Sequence, residues 1–141
     1  MCAGVECKDG KRIVRVYFPS PKAALPVRLK SGATSWLTWG RREGETPAFP
    51  QGGWARLESI QDGKWEKYKP RSVVITAQRF MEKDRQGISH WFEIPAVQMI
   101  QGLVANYGAE TRLYVVTTQA PRELPDFHDR WPRLVAIATK D

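Results

Sequence analysis

Leu113-Tyr114-Val115-Val116-Thr117-Thr118 is a short apolar run rich in β-branched and aromatic side chains, and it reads as a strand. Working outward, the same reading fits Ile13-Val14-Arg15-Val16-Tyr17-Phe18, Ser35-Trp36-Leu37-Thr38-Trp39 and Ser72-Val73-Val74-Ile75-Thr76. It also fits Arg79-Phe80-Met81-Glu82, His90-Trp91-Phe92-Glu93-Ile94 and Arg133-Leu134-Val135-Ala136-Ile137. Helical signals are few. Residues 54–60 are one candidate, and residues 121–127, with a proline tolerated in the first turn, are another. A piece of residues 96–107 is a third, although Gly102 weakens it and a strand is the competing assignment.

About seven strands punctuated by 10 prolines and 11 glycines predict an α+β fold. The expectation is a β-rich single domain spanning residues 1–141, with curved, barrel-like antiparallel sheets and a few short helices. At 141 residues a hydrophobic core needs no staples. Residues 44–53, with two prolines and two adjacent glycines, read as a surface loop on the rim of a binding cleft.

Two cysteines, no leading apolar stretch and no long apolar run point to a soluble cytoplasmic protein with free thiols at Cys2 and Cys7. We expect a monomer with no membrane association. The net charge of +7, from 22 Lys+Arg against 15 Asp+Glu, favours a polyanionic partner such as nucleic acid. Lys64-Trp65-Glu66-Lys67-Tyr68-Lys69-Pro70-Arg71 interleaves cations with aromatics, a mix suited to tracking a single strand. Trp36, Trp39 and Trp54 offer further stacking faces.

Chemistry centres on the second residue. Removal of Met1 gives Cys2 an α-amine (pKa roughly 8) beside a thiol (pKa about 8.5), and such a 1,2-aminothiol captures aldehydes by imine formation and thiazolidine closure. Metal and cofactor chemistry find little support. His90 and His128 lack zinc-module spacing, and no phosphate-cradling glycine motif occurs. His90 lies in a strand-like run and reads as structural.

An ordered series of segments resembles the SOS response-associated peptidase family, whose members cross-link to abasic sites in single-stranded DNA. Met1-Cys2 stands where the family begins Met-Cys-Gly-Arg, and Phe18-Pro19-Ser20-Pro21 looks like its Ala-Pro-Thr-Gln turn. Trp39-Gly40 is similar to Trp-Gly-Leu, and Ala55-Arg56-Leu57-Glu58-Ser59 to Ala-Arg-Ser-Glu-Thr. Arg71-Ser72-Val73-Val74 resembles Arg-Cys-Leu-Val, Phe80-Met81-Glu82-Lys83 resembles Phe-Tyr-Glu-Trp, and Gln101-Gly102-Leu103 resembles Ala-Gly-Leu. Val115-Val116-Thr117-Thr118 matches an Ile-Leu-Thr segment, and His128-Asp129-Arg130-Trp131-Pro132 matches His-Asp-Arg-Met-Pro.

The resemblance implies self-processing at Met1, covalent capture of abasic sites through Cys2, and lyase-like reversal. We expect no cofactor and no metal. Glu82 and His128 then take the family's acid and base positions, and proton transfer of this kind typically contributes about 10²- to 10⁴-fold. Arg56 and Arg130 fall where phosphates flanking the lesion would be held. Thr117 falls where a hydroxyl would meet the sugar, and Trp39 and Trp54 would line the DNA path. The chain departs from the pattern at Gly4, where the family has arginine, at Trp54, where it has asparagine, and at Lys83, which replaces an aromatic. Those departures keep open a second reading, a non-catalytic single-stranded DNA-binding module on the same fold.

Overall fold

A computed structural model describes residues 3–45 and 47–137, and the strand-dominated reading holds. Among the described residues, the first strands are β1 (Gly4–Asp9), β2 (Arg12–Tyr17), β3 (Ala24–Arg28) and β4 (Thr34–Thr38). A short β5 (Trp54–Arg56) runs directly into α1 (Leu57–Gln61), the one α-helix among the described residues, followed by a 3-10 turn at Glu66–Tyr68. Then come β6 (Arg71–Ile75), β7 (Arg79–Lys83), β8 (Ser89–Glu93), β9 (Gln98–Tyr107), β10 (Glu110–Gln119), β11 (Arg130–Pro132) and β12 (Leu134–Ala136).

The strands form two sheets. The smaller has the order β2-β1-β7-β8 and is antiparallel throughout. The larger has the order β11-β10-β9-β6-β3-β4, with β12 added to β9 and β5 added in parallel to β10. The large sheet curls until Trp39, just past β4, bridges Leu113 of β10, but it is not closed into a barrel. β9 and β10 pair from Tyr107–Glu110 to Gly102–Val115. Beyond that point the chain ending in β11 and β12 bonds to both strands: the Arg133 N–H donates to Val116, and the Arg133 carbonyl accepts from Gln101.

Alternation along each strand builds two apolar clusters, because successive side chains leave opposite faces of a sheet. Val115 and Leu113 point between the sheets, where they join Val5, Leu25, Val27, Ile75, Phe80, Ile100 and Trp131. Tyr114 and Val116 point the other way, toward Phe49, Ala55, Trp65 and Tyr68. Gly102 of β9 is required by close packing, since a Cβ there would lie 2.9 Å from Leu113 Cδ1 and 3.0 Å from Ile75 Cδ1. Residues 98–107 take the strand assignment and not the helical one, because they pair with β6 and β10 and, at their start, with β12.

Two other helical expectations are corrected. Residues 54–56 are extended because Trp54 and Ala55 serve opposite clusters, a period-2 demand that helix geometry cannot meet. Only residues from Leu57 onward are helical. Residues 121–127 form turns: Pro125 supplies no N–H for a second helical turn, and Phe127 is drawn into a bridge with Asp84. Among the described residues, no helix is long and apolar enough to cross a membrane.

Candidate functional site

Of the two cysteines, Cys2 lies outside the described residues, while Cys7 is a free, fully buried thiol. Burial, reinforced by the carboxylates of Asp9 and Glu6, pushes the Cys7 thiol up to about 11, so it stays protonated and unreactive at neutral pH. β1 opens at Gly4, whose register partners are Tyr17 of β2 on one side and Met81 of β7 on the other. The first described strand therefore begins one position along from Glu82. On its other flank, the Phe18 N–H donates to the Ala3 carbonyl at 3.0 Å.

Glu82 is 1% exposed. It sits two residues along β7 from Phe80, on the face turned toward the large sheet, and its cross-strand neighbour is His90. Around that face is an aromatic wall. Phe80 stacks on Phe92 at 5.5 Å, and Trp131 meets both rings edge-on at 5.2 and 4.9 Å. Phe127 closes the wall at 5.4 Å from Phe92 and 5.8 Å from Trp131. Such surroundings solvate a carboxylate poorly, and burial pushes the Glu82 carboxyl up from 4.5 to about 7. At neutral pH it therefore exists in both protonation states.

His128 follows the buried Phe127 and is exposed. It lies in an open groove of about 290 Å³ with Arg85, Arg122 and Asp129, on a loop closed at its base by the Ala120 N–H donating to the Asp129 carbonyl. The tip of the β7–β8 hairpin clasps this loop: the Arg85 N–H donates to Asp126, Arg85 Nε donates to the Pro125 carbonyl, and Asp84 bridges Phe127. Glu82 and His128 thus sit on backbone segments joined by the Asp84–Phe127 bridge, one side chain enclosed and the other open to solvent. His90 Nε2 lies 2.8 Å from Asp84 Oδ2, and its ring meets Phe127 edge-on at 5.1 Å, a structural arrangement.

The expected DNA contacts divide. Arg130 is committed within the fold: Nη1 donates to Glu58 Oε2 at 2.8 Å, and Nη2 donates to the Thr117 carbonyl at 2.7 Å. Its Nε also donates to Thr117 Oγ1, so the buried threonine hydroxyl serves as an acceptor. Arg130 in turn holds the Glu58 carboxyl below the usual carboxylate range. Arg56 lies 3.5 Å from Glu58 but is 65% exposed along its side chain and open to a further partner.

Trp39 is fully buried, with its indole N–H donating to the Gly53 carbonyl at 2.9 Å, so it presents no face to a bound strand. Trp54 is half-buried, tilted against Phe18 at 4.9 Å and edge-on to Trp39 at 6.3 Å. Gly53 permits this trio, since a Cβ there would fall 2.6 Å from the Phe18 ring and 2.7 Å from Trp39 Nε1. Trp65 and Tyr68 belong to the outer apolar cluster, which removes them from the stacking platform expected at residues 64–71. Phe49 likewise anchors the loop at residues 44–53 from within.

Sequence reasoning missed Phe18 and Arg42, which shape the approach to the start of β1. Arg42 lies over the Phe18 ring at 4.5 Å and donates from Nε to the Phe18 carbonyl at 2.8 Å. Phe18 was marked in the sequence by its place at the end of an apolar run before a proline and by the turn-like Phe18-Pro19-Ser20-Pro21, neither of which gives its side chain a place at the site. No group of three or more His, Cys, Asp or Glu side chains is placed to hold a metal among the described residues. Comparisons with protein-family models, with curated proteins and with solved structures find no match.

Proposed function

We propose that the chain captures abasic sites in single-stranded DNA covalently through Cys2, in the manner of the SOS response-associated peptidases that its sequence resembles. The observation that carries this reading is Glu82, a buried carboxyl poised at about pH 7 beside the start of the N-terminal strand. A carboxyl so placed both gives and takes a proton at neutral pH, as an acid–base group in imine chemistry must.

In this scheme hydrolysis of the Met1–Cys2 bond, by the chain itself or by an aminopeptidase, frees the Cys2 amine. The amine attacks C1′ of the ring-opened sugar, and water leaves to give an imine. The Cys2 thiolate then adds to the same carbon while the nitrogen takes up a proton, closing a thiazolidine. Glu82 serves the ring-opening and dehydration steps, and His128 serves as the second proton carrier from the loop that the β7–β8 hairpin holds. Arg56 and Arg130 hold flanking phosphates, Arg130 after leaving Glu58, with Thr117 and Trp54 beside the sugar. The protein acts as a cytoplasmic monomer in the response to DNA damage, and reversal of the same steps is lyase-like.

A second reading, a non-catalytic single-stranded DNA-binding module, is favoured by one specific observation: Arg130 is already paired with Glu58 and Thr117. Incubating the mature protein with a single-stranded oligonucleotide bearing one abasic site, followed by a denaturing gel, separates the two. Covalent capture gives a slow-migrating band that is absent in Cys2→Ala. We expect Glu82→Gln to slow its appearance about 10²-fold or more. A mature wild-type protein that shifts the oligonucleotide on a native gel, yet gives no band on the denaturing one, establishes the binding module instead.

A further inference from the structure

The net charge of +7 is not spread over the chain. Residues 10–42 contain eight Lys and Arg and no Asp or Glu, which leaves 14 basic against 15 acidic residues in the remainder. This one acid-free stretch builds β2, β3 and β4. β2 is an outer strand of the small sheet and β4 an outer strand of the large one, and two cations of the stretch, Arg15 and Lys22, line a groove bounded by residues from both.

Between them runs a groove of about 380 Å³, in the size range of small-ligand sites. Val16, Ala23 and Ala24 form its apolar floor, Trp36 and Tyr17 are its aromatic walls, and Arg15 and Lys22 are its charged lining, with no carboxylate among the lining residues. Trp36 and Tyr17 are 39% and 43% exposed, unlike Trp39, Trp65, Tyr68 and Tyr114, which are all buried. Arg15 is steadied by Glu6 at 3.2 Å and by the Trp91 ring at 4.2 Å, while Lys22 is exposed. Phe18, the residue after Tyr17, is the one bonded to Ala3, so the groove leads directly toward the N-terminal end of β1.

We propose that this groove is a nucleobase-stacking subsite for single-stranded nucleic acid, with a base held between Trp36 and Tyr17 and the adjoining phosphates held by Lys22 and Arg15. Flat aromatic faces select for bases and cations for phosphates, and a lining that carries Lys22 and Arg15, the latter shared with Glu6, favours a polyanion over a neutral aromatic ligand. The subsite gives a strand entering the proposed capture site a second foothold. It rests on that reading only for the choice of a single strand as occupant, and it needs neither an aldehyde nor Cys2.

The test is fluorescence anisotropy of the full chain with two labelled probes of equal length, oligothymidylate and a tetrahydrofuran-spacer backbone that carries phosphates without bases. We expect oligothymidylate to bind more tightly than the spacer. Trp36→Ala should weaken oligothymidylate about tenfold, leave the spacer unchanged, and be largely rescued in Trp36→Phe. Lys22→Gln should lower the salt slope by about 0.7 for both probes. Because Trp36 is partly exposed, an unchanged melting temperature accompanies its variants. Equal losses on both probes, no loss in Trp36→Ala, or displacement by polyglutamate as efficient as by oligothymidylate would each overturn the subsite. A chain that fails to capture abasic DNA on the denaturing gel, yet discriminates the two probes through Trp36, keeps the subsite and loses only the capture chemistry.

Discussion

Burial acts on a titratable side chain in each of the two apolar clusters, Tyr114 in the outer one and Glu82 between the sheets, with opposite consequences. In the outer cluster, burial pushes the Tyr114 hydroxyl well above its usual range, and the group donates to the Pro50 carbonyl at 2.6 Å. It stays neutral throughout the physiological range, and its burial serves the fold. Between the sheets, the same physical cause pushes Glu82 to about 7, where ionisation is in balance. One cause acts on two starting values: desolvation moves a phenol further from physiological pH and moves a carboxyl into it. Burial therefore leaves Glu82 able to give and take a proton near neutral pH, at a cost in stability once it ionises.

The largest expected effects remove the walls of the two clusters. Phe80→Ala and Phe49→Ala should each cost about 3–5 kcal/mol in urea unfolding, the usual range for a buried phenylalanine. They should differ in their pH profiles. Loss of Phe80 admits water beside Glu82 and lets its carboxyl fall back toward ordinary values, so stability depends less on pH. Loss of Phe49 leaves that dependence intact. Identical profiles for the two variants would erase the contrast between the clusters.

Next in size is the cost of ionising Glu82. Its folded value lies above its unfolded value, so the folded state binds the extra proton. The resulting stability is fully present below about pH 4.5 and is lost as pH rises through 7. The swing is on the order of 3 kcal/mol for a group that is 1% exposed. In Glu82→Gln the fall in stability between about pH 5 and 8 should disappear, whereas Tyr114→Phe should cost about 1 kcal/mol at every pH in the window. Unfolding midpoints measured at intervals from about pH 4 to 8 resolve the two behaviours.

Much of the strand content was legible because seven short segments were apolar or alternating, most of them rich in β-branched or aromatic residues, and β2, β4, β6, β7, β8, β10 and β12 lie on them. What was hidden has local causes. β1 spells Gly-Val-Glu-Cys-Lys-Asp, a polar run whose alternation becomes meaningful only when Val5 and Cys7 meet the core. β3 contains Pro26, which ordinarily argues against a paired strand. It is tolerated because pairing with β6 covers only Val27 and Arg28, and the Pro26 carbonyl still accepts from the Thr76 N–H. In the candidate site, Glu82 could be singled out only by resemblance, since in sequence it shares a charged stretch with Lys83, Asp84 and Arg85. The β7 register turns it inward, while Lys83 and Arg85 remain exposed. The pairing of Arg130 with Glu58, 72 positions away, carries no sequence signal at all.

The smallest effects concern a third enclosed polar group, Thr117, which is 1% exposed and owes its hydrogen-bond partner to a charged side chain. Arg130→Ala removes the donor that serves both the Thr117 hydroxyl and its carbonyl, and should cost about 1–2 kcal/mol. Arg56→Ala, at a side chain 65% exposed, should stay within about 0.5 kcal/mol. For binding of unmodified single strands the order reverses. Arg56, held only by a long, exposed contact to Glu58, can turn to a phosphate, and its loss should lower the salt slope by about 0.7, while Arg130 must first leave Glu58 and Thr117. A larger slope change in Arg130→Ala than in Arg56→Ala would mean that the Glu58 pair opens on binding. Thr117 would then lose its donor at that moment, and the site would spend fold stability on DNA contact just as it spends it on the Glu82 proton.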